Sequence, residues 1–200
     1  TGRAKGVIQN HRNVLHFICE YTRKLGITPE DALTLLSSYA VDAAVMYADG
    51  ALLNVATLCR MNVKANGFAA IGSWLELERI SIYHSTPTVY REFLRSQPAG
   101  KRFPAVRLVV LGGEPVTRSD VEAFNRHFAE GTTLINGLGP TESTVTLQNF
   151  IRHGDELPIG PVSVGTAVGS TEVLLLDEHG RLAEVEGELA FCSDHLALGY

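Results

Sequence analysis

The sequence predicts an α/β fold, a mostly parallel sheet flanked by helices and followed by a β-rich segment. Three observations carry this. Helical and strand-like stretches alternate from the first residues to about Phe150, the pattern of parallel strands joined by helical crossovers. The strand-like runs are short and apolar throughout, as in strands covered on both faces. After about Gly154 the helical periods stop, and Gly, Pro and Thr punctuate short apolar runs instead.

Taken in order, Val14, Ile18, Tyr21 and Leu25 repeat at helical spacing behind a possible cap at Asn10 or Asn13, and Gly26 is placed to end that helix. "ALTLLSSYAV" reads as a buried strand, Ala43 to Asn54 as a buried helix and Gly67 to Glu78 as another, with Ile71, Trp74, Leu75 and Leu77 as its apolar positions. In "RISIYHSTPTVYREFL" Ile80 and Ile82 alternate as in a strand. Thr86 then caps, Pro87 suits a first helical turn, and Val89, Phe93 and Leu94 form a face. "VRLVVLGGEPVTRSDVEAFNRHF" repeats the theme: a strand from Val106 to Leu111, a turn at Gly112 and Gly113, and a capping box from Ser119 to Glu122. Val121, Phe124 and Phe128 face the core. Thr132 to Ile135 is a further strand, after which Asn136 to Pro140 turn the chain. In the β-rich part Glu172 to Leu176 and Glu188 to Phe191 are strands, with "DEHG" as a turn between them.

The 200 residues are 45% hydrophobic and 20% charged, the composition of an ordinary globular chain with one substantial core. Seventeen Lys plus Arg against 22 Asp plus Glu leave a net charge of -5 and no basic cluster, which gives nucleic-acid binding no support. "YAVDAAVMYADGALLNVATLC" is interrupted by Asp42, Asp49 and Asn54 too often to span a membrane. Cys19, Cys59 and Cys192 are odd in number and in no metal-ligand spacing, as in a cytoplasmic protein with reduced thiols. The chain opens on "TGRAKG" without an initiator Met and stops at "LALGY". It reads as a piece of a longer chain truncated at both ends, with an α/β portion over 1–153 and a β-rich portion over 154–200.

Ligands in open α/β sheets bind outside the carboxyl ends of strands. Three loops of unusual composition are at such positions: "YHSTP" after Ile82, "LGGEP" after Val110 and "NGLGPTE" after Ile135. "TGRAKG" is physically suited to a phosphate, because glycines let N–H groups approach an anion and Lys5 adds a mobile charge. It departs from the Walker pattern, and taken alone it reads as a polar surface turn before it reads as a phosphate cradle. Glu142 offers a hard oxygen to a magnesium ion and Thr141 a hydroxyl to a phosphate, or the pair simply opens a helix. Asp42, flanked by Val41 and Ala43, needs a partner: a cap, a buried hydrogen bond or a substrate ammonium. His84 reads as a satisfied histidine before it reads as a general base.

"TGRAKG", "VDAAVMYADGALL", "LGGEP", "NGLGPTE" and "GELAF…LALGY" in this order resemble the adenylate-forming (AMP-binding) superfamily, and most closely the adenylation domain of a nonribosomal peptide synthetase. The resemblance covers the whole chain. It implies ATP-dependent activation of an amino-acid carboxylate as aminoacyl-adenylate, with ATP and Mg2+, and transfer to the phosphopantetheine of a peptidyl carrier domain beside a condensation domain. It places Thr1, Gly2, Lys5 and Gly6 in the phosphate loop and Gly113, Glu114 and Pro115 beside the adenine, with Leu138 and Gly139 nearby. Thr141 would meet the α-phosphate and Glu142 the metal; Lys5, Thr141 and Glu142 are thereby the catalytic set. Asp42 would pair with the α-ammonium, and Ala43, Met46, His84, Val110, Gly112, Gly137, Val145 and Thr146 would line the side-chain pocket. Leu138 stands where the family commonly has an adenine-stacking aromatic ring, so an apolar contact must replace stacking, and Ala4 stands where a proline is common. The 200 residues alone are not expected to catalyse adenylation. Two other readings remain open: an acyl-CoA or acyl-carrier ligase of the same fold, and a non-catalytic nucleotide-binding or scaffold domain.

Overall fold

A computed structural model describes residues 5–157 and 160–200. Helix α1 (His11–Leu25) starts at Asn10, whose side chain accepts the Asn13 N–H at 2.9 Å, and ends where Gly26 takes a left-handed conformation (φ 56°). Asn10→Ala is expected to cost about 1 kcal/mol of stability, read as a lowered denaturation midpoint with unchanged ligand binding.

Strand β1 (Ala32–Leu35) is shorter than the apolar run that predicts it. The Ser38 hydroxyl accepts the Ala40 N–H at 3.3 Å and its carbonyl takes Val41 N–H at 3.0 Å, a local turn that competes with further pairing. Helix α2 (Asp42–Leu52) follows at once, beginning one residue before the expected Ala43. Strand β2 (Thr57–Arg60) has no counterpart in the sequence reading; it is a sheet edge, largely exposed, and lacks the apolar run of a central strand. The helix expected from Gly67 to Glu78 is two pieces. Gly67, at φ 80°, closes a short α3 (Val63–Asn66), and α4 (Ala70–Leu77) starts afterwards.

Strand β3 (Ile82–Ser85) leads through Thr86 into α5 (Pro87–Arg95), and β4 (Leu108–Gly112) into α6 (Arg118–His127). Gly112 therefore belongs to the strand, and only Gly113 (φ 81°) makes the turn. Helix α6 is capped two residues earlier than expected: Asp120, not Glu122, reaches back, and its Oδ2 accepts the N–H and the hydroxyl of Thr117, each at 2.8 Å. Strand β5 (Thr133–Leu138) continues past Ile135 because β6 (Leu147–Ile151) pairs with it antiparallel, setting Gly137 opposite Gln148. The strands β7 (Thr166–Ala167), β8 (Glu172–Leu176) and β9 (Glu188–Cys192) complete the chain.

The main sheet has the order β2-β1-β3-β4-β5-β6-β7, parallel from β2 to β5 and antiparallel beyond; β8 and β9 form a separate antiparallel hairpin. Period-2 alternation divides the core. Leu33, Ile82, Val110 and Ile135 pack toward α1 and α2, while Tyr83, Val109, Leu111 and Leu134 pack toward α4, α5 and α6 with Phe93, Phe103, Phe124 and Phe128. The second face is fastened by aromatic contacts, such as Phe93 on Phe103 with ring centroids 5.2 Å apart. Among the described residues no helix is long and apolar enough to cross a membrane.

Candidate functional site

Because β1, β3, β4 and β5 are parallel, their carboxyl ends share one edge of the sheet. The loops after β3, β4 and β5, and the start of α2 after β1, converge there. The N-terminal segment is tied to the same edge by Gln9, whose Nε2 donates to the Thr141 carbonyl at 3.1 Å.

The tip of the β5–β6 hairpin carries the hydroxyl and the carboxylate. Leu138 O accepts both the N–H (2.9 Å) and the hydroxyl (3.1 Å) of Thr146, closing the hairpin. Gly139 lies so near the returning strand that a Cβ would stand 1.6 Å from Thr144 O, so only glycine is accommodated. Thr144 itself holds φ 59°. This crowding presents Thr141 and Glu142 at the sheet edge, not in a helix.

A cavity of about 380 Å³ opens at this edge, lined among others by Lys5, Gly6, Asp42, Met46, Thr141 and Thr144. Five of the residues singled out from sequence therefore meet in one space: Lys5, Gly6, Asp42, Met46 and Thr141. Glu142 stands beside it, hydrogen-bonded to the Tyr200 hydroxyl, and the Lys5 ammonium sits 4.8 Å over the Tyr200 ring. The Tyr200 hydrogen bond, with its own backbone N–H and the Lys5 charge, holds the Glu142 carboxyl below the usual carboxylate range. Asp42 occupies the first turn of α2, half-buried rather than enclosed. Its Oδ1 accepts the Ala43 N–H at 2.8 Å, and no basic side chain pairs with it among the described residues.

The expected pocket residues Ala43, His84, Val110, Gly112, Gly137, Val145 and Thr146 do not line this cavity. Ala43, Val110 and Val145 belong to the core between the sheet and α1/α2, and Gly112 faces Gly137 across β4 and β5. A Cβ on Gly112 would crowd Gly137 O at 3.2 Å, whereas one on Gly137 would make only ordinary contact with Val145 at 3.6 Å. Thr146 is buried and its hydroxyl is spent on Leu138. His84 is enclosed by Tyr21, whose hydroxyl is 3.4 Å from Nδ1, and by the Tyr47 ring at 4.1 Å; burial pushes its imidazole down to about 3, so it is neutral.

Gly113, Glu114 and Pro115 stand apart from the cavity. Glu114 Oε2 accepts the Thr88 N–H (2.9 Å) and hydroxyl (2.6 Å), and Pro115 O accepts from Arg91 at 2.9 Å, so this loop is braced against α5. Thr1 and Gly2 lie outside the described residues. Sequence reasoning missed Phe17, Tyr39 and Thr144 in the cavity wall and Tyr200 beside Glu142. Tyr200 closes the "LALGY" stretch already noted; nothing local distinguishes the others.

Among the described residues no group of three or more His, Cys, Asp or Glu side chains is placed to hold a metal. A lone carboxylate at an accessible edge next to a lysine instead suits a magnesium ion that is also held by phosphate oxygens.

A family model described as "AMP-binding enzyme" matches residues 1–200. Bacitracin synthase 3 of Bacillus licheniformis is 32% identical over 100% of this chain, which covers 3% of that protein. Surfactin synthase subunit 1 of Bacillus subtilis (strain 168) is 33% identical, again over 100% of this chain and 6% of its own length. Of solved structures, the nonribosomal peptide synthetase FmoA3 superposes with a TM-score of 0.88 at 24% identity, over 100% of this chain and 22% of that one. The four-domain nonribosomal peptide synthetase AB3403, solved in its holo form with AMP and glycine bound, gives a TM-score of 0.84 at 24% identity, over 100% and 15%. These two likenesses show the fold; the family model, matching every residue, shows the family. The chain belongs to the AMP-binding enzymes.

Proposed function

We propose that this chain is part of an adenylation domain that activates an amino acid for nonribosomal peptide synthesis. The observation that supports it most is the meeting of Lys5, Asp42 and Thr141 in one cavity, with Glu142 at its rim. An amino acid presents an ammonium and a carboxylate, and here a carboxylate with no basic partner among the described residues and a lysine line the same space. In the reaction a carboxylate oxygen of the amino acid attacks the α-phosphorus of ATP. The bond from that phosphorus to the β-bridging oxygen breaks, leaving aminoacyl-adenylate and pyrophosphate. Asp42 holds the ammonium, Lys5 offsets phosphate charge, Thr141 donates to a phosphate oxygen, and Glu142 supplies one ligand to Mg2+. Magnesium would contribute charge neutralisation at the phosphates. Gly6 leaves the backbone near Lys5 free of side-chain bulk, and a Cβ there would meet nothing within 4 Å.

The acyl group would then pass to the phosphopantetheine thiol of a peptidyl carrier domain, with a condensation domain as a further partner. The peptide synthases that match this chain, and the free Cys19, Cys59 and Cys192, support that modular and cytoplasmic setting.

The test is ATP–pyrophosphate exchange by the natural chain that carries these residues, against a panel of amino acids and their des-amino counterparts. Exchange confined to acids bearing an α-ammonium is expected. Equal exchange with des-amino acids would instead assign an acyl ligase, and Mg·ATP binding without exchange for any acid would assign a non-catalytic domain.

A further inference from the structure

The end of the chain is stapled to both other parts of the nucleotide edge. Ala197 N–H donates to Glu142 O at 2.7 Å, Leu198 N–H to Ile8 O at 2.9 Å, and Ile8 N–H to Gly199 O at 2.8 Å. Asn13 Nδ2 adds a 2.6 Å bond to Leu196 O. This short strand-like addition brings Tyr200 between Lys5 and Glu142. The phenol donates to Glu142 Oε1, and the face of the same ring lies 4.8 Å from the Lys5 ammonium.

Lys5 and Glu142 touch the same ring but form no ion pair with each other. The ring separates them, and each charge is satisfied by a different part of it. A hydroxyl is a neutral donor, so it orients the carboxylate without cancelling its charge. Among the described residues no second side chain hydrogen-bonds the Glu142 carboxylate.

We infer that Tyr200 is a positioning residue for the metal-and-phosphate end of the site: its hydroxyl holds the Glu142 carboxylate that would ligate the cation, and its ring seats Lys5 apart from Glu142. This rests on the adenylation reading above, in which Glu142 meets Mg2+ and Lys5 meets phosphate.

The two halves of the side chain are separable. Tyr200→Phe keeps the cation–π seat and removes the hydrogen bond; Tyr200→Leu removes both. The probe is a non-hydrolysable ATP analogue, its binding to the natural chain followed by calorimetry across a Mg2+ titration and again with Mg2+ absent. For Tyr200→Phe the half-saturating Mg2+ is expected to rise about fivefold, the loss of one exposed hydrogen bond to a charged group, with metal-free binding unchanged. For Tyr200→Leu the same rise is expected, joined by a metal-free affinity about threefold weaker. A merely structural role would move both columns together, and rescue of the metal-free binding by Phe alone would not occur. Unchanged or tighter Mg2+ dependence in Tyr200→Phe overturns the inference while leaving the adenylation reading intact. Failure of the unsubstituted protein to bind the analogue with Mg2+ overturns that reading, and this one with it.

Discussion

Asp42→Ala in the natural chain is expected to reduce amino-acid-dependent pyrophosphate exchange about 10²-fold or more, with ATP-analogue binding little changed. Removing one partner of a close charge pair costs about 2–5 kcal/mol, and the half-buried position of Asp42 places it toward the lower part of that range. The loss should fall on the KM for the amino acid. A carboxylate in the first turn of a helix also has a plain structural use, since it complements the helix dipole and here accepts the Ala43 N–H. Asp42→Asn separates the two roles. The amide keeps an acceptor for Ala43 N–H, so a capping role predicts near-normal exchange, whereas an ammonium-binding role predicts a loss close to that of alanine. If exchange survives Asp42→Ala intact, the amino-acid reading fails.

Asp31→Ala should destabilise the fold by about 2–3 kcal/mol, less than the roughly 3–5 kcal/mol of a fully buried ion pair broken from one side, because the Arg107 side chain is 38% exposed and water can reach its freed donors. Asp31 is only 5% exposed at its side chain and joins three parts of the chain. Its carboxylate accepts Arg107 Nε and Nη2 at 2.8 and 2.7 Å, the Ser81 hydroxyl at 2.6 Å and the Thr28 N–H at 2.9 Å. Arg107 in turn donates to Leu25 O and Gly26 O, the open carbonyls at the end of α1. Alanine would take away two of the four hydrogen bonds that the guanidinium makes at the end of the sheet opposite the candidate site. A urea titration at pH 7 gives the magnitude, and an unchanged midpoint would remove the network from the account of stability.

The same group sets a pH dependence. Burial alone would push the Asp31 carboxyl up, but the hydrogen bonds from Arg107, Ser81 and Thr28 outweigh it and hold the carboxyl below its ordinary value. A depressed carboxylate contributes stability that is present above the unfolded value, near 4 by the ordinary scale of about 3.9, and is lost as pH falls through the folded value. Stability should therefore decline below about pH 4, and this part of the decline should be absent in Asp31→Ala.

Much of the fold was legible because the signals that specify it are local. Asn10 and Gly26 bracket α1 within four residues of the bonds they make, and the apolar runs of β3 and β4 need only their own composition to read as central strands. The misreadings occurred where a competing turn or a distant partner decides. Leu36 to Val41 is as apolar as many strands, but Ser38 supplies a turn. Asn136 and Gly137 look like a stop, yet β6 extends the strand through them to Leu138. The candidate site divides in the same way. Lys5 is visible in a glycine-flanked segment and Asp42 and Thr141 as unusual residues after strands, whereas Phe17 is only one apolar position among many on α1.

What local chemistry specifies here is where helices begin and end, which runs become buried strands, and that a glycine-bounded hairpin tip carries Thr141 and Glu142. Caps, period-2 alternation and glycine dihedrals all act within a few residues, so one chain read in one pass contains them. Strand order is a different matter. That β1, β3, β4 and β5 lie side by side and parallel is settled by packing two helical layers on opposite faces, and this alone brings their ends to one edge. The Asp31–Arg107 pair and the Tyr200–Glu142 contact bridge 76 and 58 residues of sequence. Neither has a local signature, because the free energy of each exists only after the sheet has placed its partners within reach.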